Sequence, residues 1–212
     1  MKALEICYNL FMKDDYIKLL TFLHEAEKLK STMRHNWMTS GRQEDSSQHS
    51  WRAALFFIIA HEIYKFDVDA YKTVVMLIAH DLPELKYGDI AAFIKDTDSK
   101  SHAEHKKREA EAARELYAIL PEPLGSKLAE LQEEFEKGET KEAKLAQALE
   151  KIESQLQHQE SGPKYWSKEE KGEHMLNYPN IAISALDNPD VKNIWEIIRK
   201  DIYKLTYPEK QS

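Results

Sequence analysis

An apolar run that ends in ionisable side chains and a proline constrains the fold more than any other stretch of this sequence. Residues 74–79 are all apolar, and His80, Asp81 and Glu84 follow within five positions. Glu84 lies four residues after His80 and three after Asp81, so a helix would place all three on one face. Pro83 cannot continue the helical hydrogen bonding. The pattern predicts a buried helix with ionisable groups at its end.

Two chemical interpretations of this helix end remain open. An imidazole beside a carboxylate suits a divalent metal, and a second carboxylate one turn later suits an acid or base acting on metal-bound water. The alternative is a His-Asp pair that caps the helix while Glu84 lies in solvent. A dipeptide alone does not decide between them.

The composition favours an all-α bundle without a sheet. Gly and Pro are scarce, with six and seven in 212 residues, whereas Ala, Leu, Glu and Lys are abundant. A hydrophobic fraction of 42% and a charged fraction of 32% are typical of a globular protein. The length suits a single domain over residues 1–212.

The net charge and the cysteine content limit which binding partners and which cellular compartment we expect. A net charge of −7 disfavours binding of a nucleic acid polymer, but a small phosphate ester needs only one or two local cations. No apolar run is long enough to span a bilayer, and we recognise no signal peptide. Cys7 is the only cysteine, which excludes an internal disulfide. We therefore expect a cytoplasmic protein without a membrane partner.

Periodicity and turn residues predict the remaining elements. We expect the domain core over about residues 19–157, a loop or flap at 158–178 and a C-terminal helix at 189–205. The polar stretch 31–48 is predicted as a loop, as is 96–104. The predicted helices are 1–30, 51–64, the segment ending at His80 and Asp81, 105–120, 124–136, 140–157 and 189–203.

Two of these helices have faces that matter for a site. In helix 51–64, five large apolar residues are predicted to face inward: Trp51, Leu55, Ile58, Ile59 and Ile63. Phe56 and Phe57 are predicted to widen this buried surface. Helix 140–157 carries one apolar stripe: Leu145, Leu149, Ile152 and Leu156. Glu150 lies off that stripe beside two alanines, so that side is either a second buried face or a solvent face.

Several separated motifs together resemble the HD-domain metal-dependent phosphohydrolases, and specifically their 5′-deoxynucleotidase branch. The resemblance covers about residues 19–157 and depends on the motifs occurring in the family's order. The similar positions are Leu29, Lys30, Arg34, Trp37, Glu44 and His49; then His80, Asp81, Leu82, Pro83 and Glu84 with Gly88, Asp89 and Ile90; then Leu120, Pro121 and Glu122.

The resemblance implies a compact bundle that holds one divalent ion, with Mn, Co, Mg, Zn and Fe all open. It assigns the ligands to His49, His80, Asp81 and Glu150. The family has Asp where this chain has Glu150, so the fourth ligand departs from the pattern. Glu153 is a less favoured substitute, because it lies nearer the leucine stripe.

The implied reaction is removal of the 5′-phosphate of a (deoxy)nucleoside monophosphate by metal-activated water. Glu84 and Asp89 are the implied catalytic residues. Arg34 and Trp37 would bind the phosphate, and Asp89 with Ile90 would lie along the sugar. Members of the family commonly form dimers, so the resemblance also implies a homodimer.

Three rival functions stay open at this point. A nucleoside triphosphate phosphohydrolase would need further cations, for which Lys106, Lys107 and Arg108 are candidates. A dinuclear iron oxygenase would need further histidines, and His102 and His105 are the nearest. A nucleotide-binding regulatory protein could retain the fold with catalysis weakened at position 150.

Overall fold

The computed structural model describes residues 2–89, 99–171 and 176–211, and the predicted helical architecture is confirmed. The α-helices are α1 (Lys2–Ala26), α2 (Ser46–Tyr64), α3 (Ala70–Ala79), α4 (Glu84–Tyr87), α5 (Ser99–Tyr117), α6 (Leu124–Lys137), α7 (Lys141–Ser161), α8 (Asn180–Leu186) and α9 (Pro189–Thr206). Short 3₁₀ helices cover Glu27–Ser31, Glu169–Lys171 and Pro208–Gln211. Within the described ranges, no helix is long and apolar enough to cross a membrane.

Helix α7 lies at the centre of the bundle and contacts α2, α3, α6, α8 and α9. Its predicted stripe is confirmed, since Leu145, Leu149 and Ile152 are almost wholly buried. Ala143 and Ala146 are fully buried as well. The side of α7 that carries Glu150 is therefore a second buried face, and the solvent interpretation is wrong.

The face of α2 that packs inward differs from the predicted one. Trp51, Ile59 and Ile63 are 64%, 52% and 64% exposed. Phe57 is buried as predicted, but the rest of the buried face is built from alanines: Ala53, Ala54 and Ala60. Alanines allow α3 and α7 to approach α2 closely, and this close packing turns the larger aliphatic side chains outward.

A two-stranded antiparallel sheet replaces part of the predicted loop 31–48, so the expectation of no sheet is wrong here. Strands β1 (Met33–Trp37) and β2 (Gln43–Asp45) pair through a turn in which Gly41 adopts a φ of +81°. The side chains of β1 alternate in burial, but the buried ones are Arg34 and Asn36. A strand that buries polar residues has no hydropathy alternation to reveal it.

Other element boundaries also differ from the sequence prediction. Helix α5 begins at Ser99, so 99–104 is helix and not loop. Helix α7 continues to Ser161, so the first residues of the predicted 158–178 loop are helical. Helix α9 agrees with the predicted C-terminal helix 189–205 to within one residue.

Candidate active site

Three candidate metal ligands meet where α2 begins and α3 ends. Asp45 caps α2 by accepting from the backbone of Gln48, whose side chain accepts in return from the Asp45 backbone N–H. This capping box places His49 in the first turn of α2, fully buried. His80 and Asp81 follow α3 directly, and one ligand atom from each of the three residues lies within 4.8 Å of the others.

The hydrogen bonding of His80 fixes which of its nitrogens faces the cluster. Its Nδ1 lies 2.9 Å from the carbonyl oxygen of Leu77, which can only accept, so Nδ1 carries the hydrogen. Its Nε2 then faces Asp81 Oδ1 at 3.0 Å. Either a second ring proton on Nε2 or a metal ion bound by both atoms satisfies this contact.

His49 has the same orientation toward the cluster through a different partner. Its Nδ1 is hydrogen-bonded to Glu153 Oε2. Its Nε2 is buried and has no hydrogen-bond partner among the residues that the structure describes. A buried nitrogen lone pair without a donor is costly unless a metal takes it. The residues present therefore fit a divalent ion.

Glu150, the expected fourth ligand, lies at the edge of this cluster. Its Oε2 is 4.0 Å from His49 Nε2, and its Oε1 accepts from Lys151 Nζ at 2.5 Å. Burial alone would raise the pKa of Glu150, but Lys151 and the two histidines of the cluster outweigh it and lower the pKa. The Glu150 carboxylate is therefore charged and lies close to the cluster, and one of its oxygens is bound to Lys151.

Glu153 contributes more to the site than the sequence analysis predicted. It is fully buried and binds both His49 Nδ1 and Arg52 Nε, the latter at 2.5 Å. Burial would raise its pKa, but His49 and Arg52 outweigh burial and lower it. A carboxylate inside an apolar stripe was the available signal, because a buried charge needs partners.

Arg34 lies against the metal-ligand candidates. Its Nη1 donates to Asp81 Oδ2 at 3.1 Å, and its Nε is 3.4 Å from Glu44 Oε2. Burial disfavours the charged form of Arg34, but the surrounding carboxylates, Asp81 first among them, raise its pKa above the ordinary value. Arg34 is therefore a permanent buried cation in contact with the proposed metal ligands.

Glu84 is buried beside the cluster and accepts from Ser46 Oγ at 2.7 Å. Burial, followed by the charges of Asp81 and Asp89, raises the pKa of Glu84 well above its usual range. Burial likewise raises the pKa of Glu44 to about 8. A pocket with this many carboxylates attracts a cation and can hold a proton at Glu84.

The remaining predicted site residues are less closely gathered. The Asp89 side chain is largely buried, with Oδ2 3.7 Å from His35 Nδ1. Trp37 stacks on Tyr165 with ring centroids 4.9 Å apart. Ile90 lies outside the described residues, so its predicted role in binding the sugar stays a prediction.

Comparison with known proteins gives consistent matches. The model of the HD domain family matches residues 26–181. The human 5′-deoxynucleotidase HDDC2 is 30% identical over 175 residues, covering 82% of this chain and 80% of that protein. A 5′-deoxynucleotidase of Erwinia tasmaniensis is 28% identical over 131 residues, covering 60% of this chain and 66% of that protein.

A solved structure shares the fold. The crystal structure of a predicted metal-dependent phosphohydrolase from Magnetospirillum magnetotacticum MS-1 superposes with a TM-score of 0.80 at 24% identity. The superposition covers 93% of this chain and 97% of the other. At this identity the likeness concerns the fold.

Proposed function

The chain belongs to the HD-domain family, and from that premise we propose that it removes the 5′-phosphate of (deoxy)nucleoside monophosphates as a metal-dependent phosphohydrolase. The observation that carries the proposal is the convergence of His49, His80 and Asp81 within 4.8 Å, with Arg34 bound to Asp81. A cation site beside a fixed guanidinium suits a phosphate ester. The relatives named 5′-deoxynucleotidase support this choice of phosphate ester.

In this proposal His49, His80 and Asp81 hold one divalent ion, with Glu150 as the fourth ligand. When bound, the ion would lower the pKa of a coordinated water and neutralise charge on the phosphoryl oxygens. Glu153 keeps the Nδ1 hydrogen of His49 in place, and Leu77 does the same for His80 through its carbonyl.

Glu84 is proposed as the proton carrier. Burial among other carboxylates raises its pKa, and the hydrogen bond from Ser46 fixes one of its oxygens. A carboxyl group whose pKa is raised in this way can hold a proton and donate it to the leaving 5′-oxygen. In the alternative role, Glu84 would orient or deprotonate the attacking water. Both roles depend on the Glu84 carboxyl group gaining or losing a proton.

Arg34, Trp37, Asp89 and Ile90 are proposed to bind the substrate. Arg34 would hold the phosphate through its N–H groups, since it already lies against Asp81 at the cluster. The stack of Trp37 on Tyr165 supports a second proposal, that the described part of segment 158–178 is a flap beside the site. Asp89 and Ile90 would lie along the sugar.

The reaction can be tested by measuring phosphate release from a panel of 5′-nucleotides with chelator-stripped protein. We expect release from deoxynucleoside monophosphates only after Mn²⁺, Co²⁺, Mg²⁺, Zn²⁺ or Fe²⁺ is restored. His24→Ala removes an exposed histidine far along α1 and is the matched control for His80→Ala, which should abolish the metal response. Release from triphosphates alone would reject the monophosphate proposal, as would nucleotide binding without any turnover.

The contacts of the three cations considered for a triphosphate substrate do not support a nucleoside triphosphate phosphohydrolase. Lys106, Lys107 and Arg108 are exposed, and each pairs with a glutamate on the helix surfaces: Glu136, Glu111 and Glu104, respectively. They therefore form the solvated face that their sequence pattern favoured. The side chains of His102 and His105, candidates for a dinuclear iron site, lie outside the described residues.

The exposed face of α2 supports the proposal of a homodimer. Trp51, Leu55, Ile59 and Ile63 follow one another at intervals of about one helical turn, Ile58 lies beside them, and all five are exposed. A contiguous apolar face of this kind on a single chain is typical of an interface.

We expect Ile59→Asp to convert a dimer to a monomer, since it places a charge in the middle of this face. Light scattering after gel filtration measures the mass directly. Ile181→Asp introduces the same change at an exposed isoleucine on α8 and should leave the mass unchanged. If the Ile59 variant keeps the mass of the wild type, the α2 face is not the interface.

A further inference from the structure

A second group of metal-binding side chains lies apart from the first and shares no residue with it. His35 on β1, His158 in the last turn of α7 and Glu170 in the 3₁₀ helix 169–171 each offer a ligand atom within 4.8 Å of the other two. Glu170 Oε1 lies 3.2 Å from His35 Nε2 and 3.4 Å from His158 Nε2. Neither the family motifs nor the proposed reaction uses these residues.

The carboxylate of Glu170 is held so that one oxygen faces the two rings. Its Oε2 accepts from the backbone N–H of Ser167 at 2.6 Å, and its own N–H donates to Ser167 Oγ at 3.3 Å. Glu170 is 4% exposed, yet its Oε1 has no hydrogen-bond partner in the described part of the chain.

The charge state of the His158 ring suits metal coordination. Burial, followed by the charges of His35 and Arg34, lowers the pKa of His158 to about 3, so this ring is neutral near pH 7. A neutral imidazole is the form that binds a metal. Asp89 Oδ2 lies 3.7 Å from His35 Nδ1, on the ring edge away from Glu170, and offsets part of the charge of Arg34.

We propose that His35 Nε2, His158 Nε2 and Glu170 Oε1 form a second metal site for Zn²⁺ or a similar first-row divalent ion. Two imidazoles and one carboxylate select such metals over Mg²⁺ and Ca²⁺, which prefer oxygen ligands throughout. Three protein ligands leave one tetrahedral position for water. The half-buried side of His35 gives the ion a path from solvent.

The site would join β1 to two elements that come much later in the sequence, α7 and the 3₁₀ helix 169–171. The segment 162–171 already meets α7 through Trp166 Nε1, which donates to the His158 carbonyl at 2.9 Å. It meets β1 through the stack of Tyr165 on Trp37. A metal bound by Glu170 would fasten the same segment to β1 at His35, next to Arg34.

The test is the zinc content of the full chain, measured by mass spectrometry after chelator stripping, zinc loading and gel filtration. Four proteins are compared: the wild type, His80→Ala, Glu170→Gln and the double variant. We expect Glu170→Gln to hold about one zinc per chain less than the wild type. The loss in the double variant should equal the sum of the losses in Glu170→Gln and His80→Ala. The isosteric amide keeps an acceptor for the Ser167 N–H, so folding is preserved.

The rate of trypsin cleavage at exposed Lys164 and Lys168 gives a second test of the site. Zinc should slow this cleavage severalfold in the wild type and in His24→Ala, and should not slow it in Glu170→Gln or His158→Asn. Equal zinc content in the wild type and Glu170→Gln would overturn the proposal. Zinc protection that survives in both variants would overturn it too.

Discussion

Replacing Glu84 with glutamine lowers the rate of phosphate release at least about a hundredfold, the loss typical of a missing general acid or base. The amide has nearly the same shape and can still accept from Ser46, but it cannot carry the proton. We expect kcat to fall while metal content and nucleotide affinity stay near those of the wild type. That separation distinguishes loss of proton transfer from loss of the site.

The measurement is steady-state phosphate release, with metal content determined on the same sample. Glu115→Gln makes the same change at an exposed glutamate that pairs with Lys86 on the surface, and it should leave kcat unchanged. If Glu84→Gln retains wild-type kcat, Glu84 carries no proton in the reaction. The proton would then have to come from another group in the pocket.

Removing the Glu153 carboxylate produces the second large effect, on metal binding and on stability together. Glu153→Ala leaves Nδ1 of His49 without its partner, and we expect metal affinity to fall by about 10- to 100-fold. Breaking a buried ion pair costs about 3–5 kcal/mol in the free energy of unfolding. The lower end applies here, because Arg52 keeps Glu160 and is partly exposed.

Glu150→Ala is the matched comparison, because it removes a second buried carboxylate from the same helix. If Glu150 is a ligand, this variant loses metal affinity with a smaller loss of unfolding free energy, since Lys151 can turn toward solvent. Calorimetric metal titration and urea denaturation separate the two quantities. Wild-type metal affinity in Glu153→Ala would show that His49 is held in place without it.

The sequence predicted the helices and the grouping of His49, His80 and Asp81 because their signals are local or depend on known motifs. The stripe of α7 repeats at helical spacing, and Pro83 marks where α3 has to end. The side chains of these two histidines and one aspartate lie together, as the resemblance implied. Their role as metal ligands remains a prediction that the metal experiments test.

The errors share one physical cause, which is that burial was inferred from hydropathy. On α2 the buried face consists mainly of alanines, so larger residues such as Ile59 drew the prediction to the wrong side. In β1 the buried residues are Arg34 and Asn36, which hydropathy assigns to solvent. Glu153 was set aside because it lies near leucines, although the carboxylate there is buried with His49 and Arg52 as its partners.

The pairing of His49 with Glu153 spans 104 positions of the chain, and this has a consequence for protein synthesis. The three clustered candidates His49, His80 and Asp81 have all been made once residue 81 is added, whereas the carboxylate that orients His49 is made only with α7. A nascent chain therefore carries the ligands before it can direct the His49 ring at them. Metal capture by the ribosome-bound chain has to wait until α7 has emerged and packed against α2.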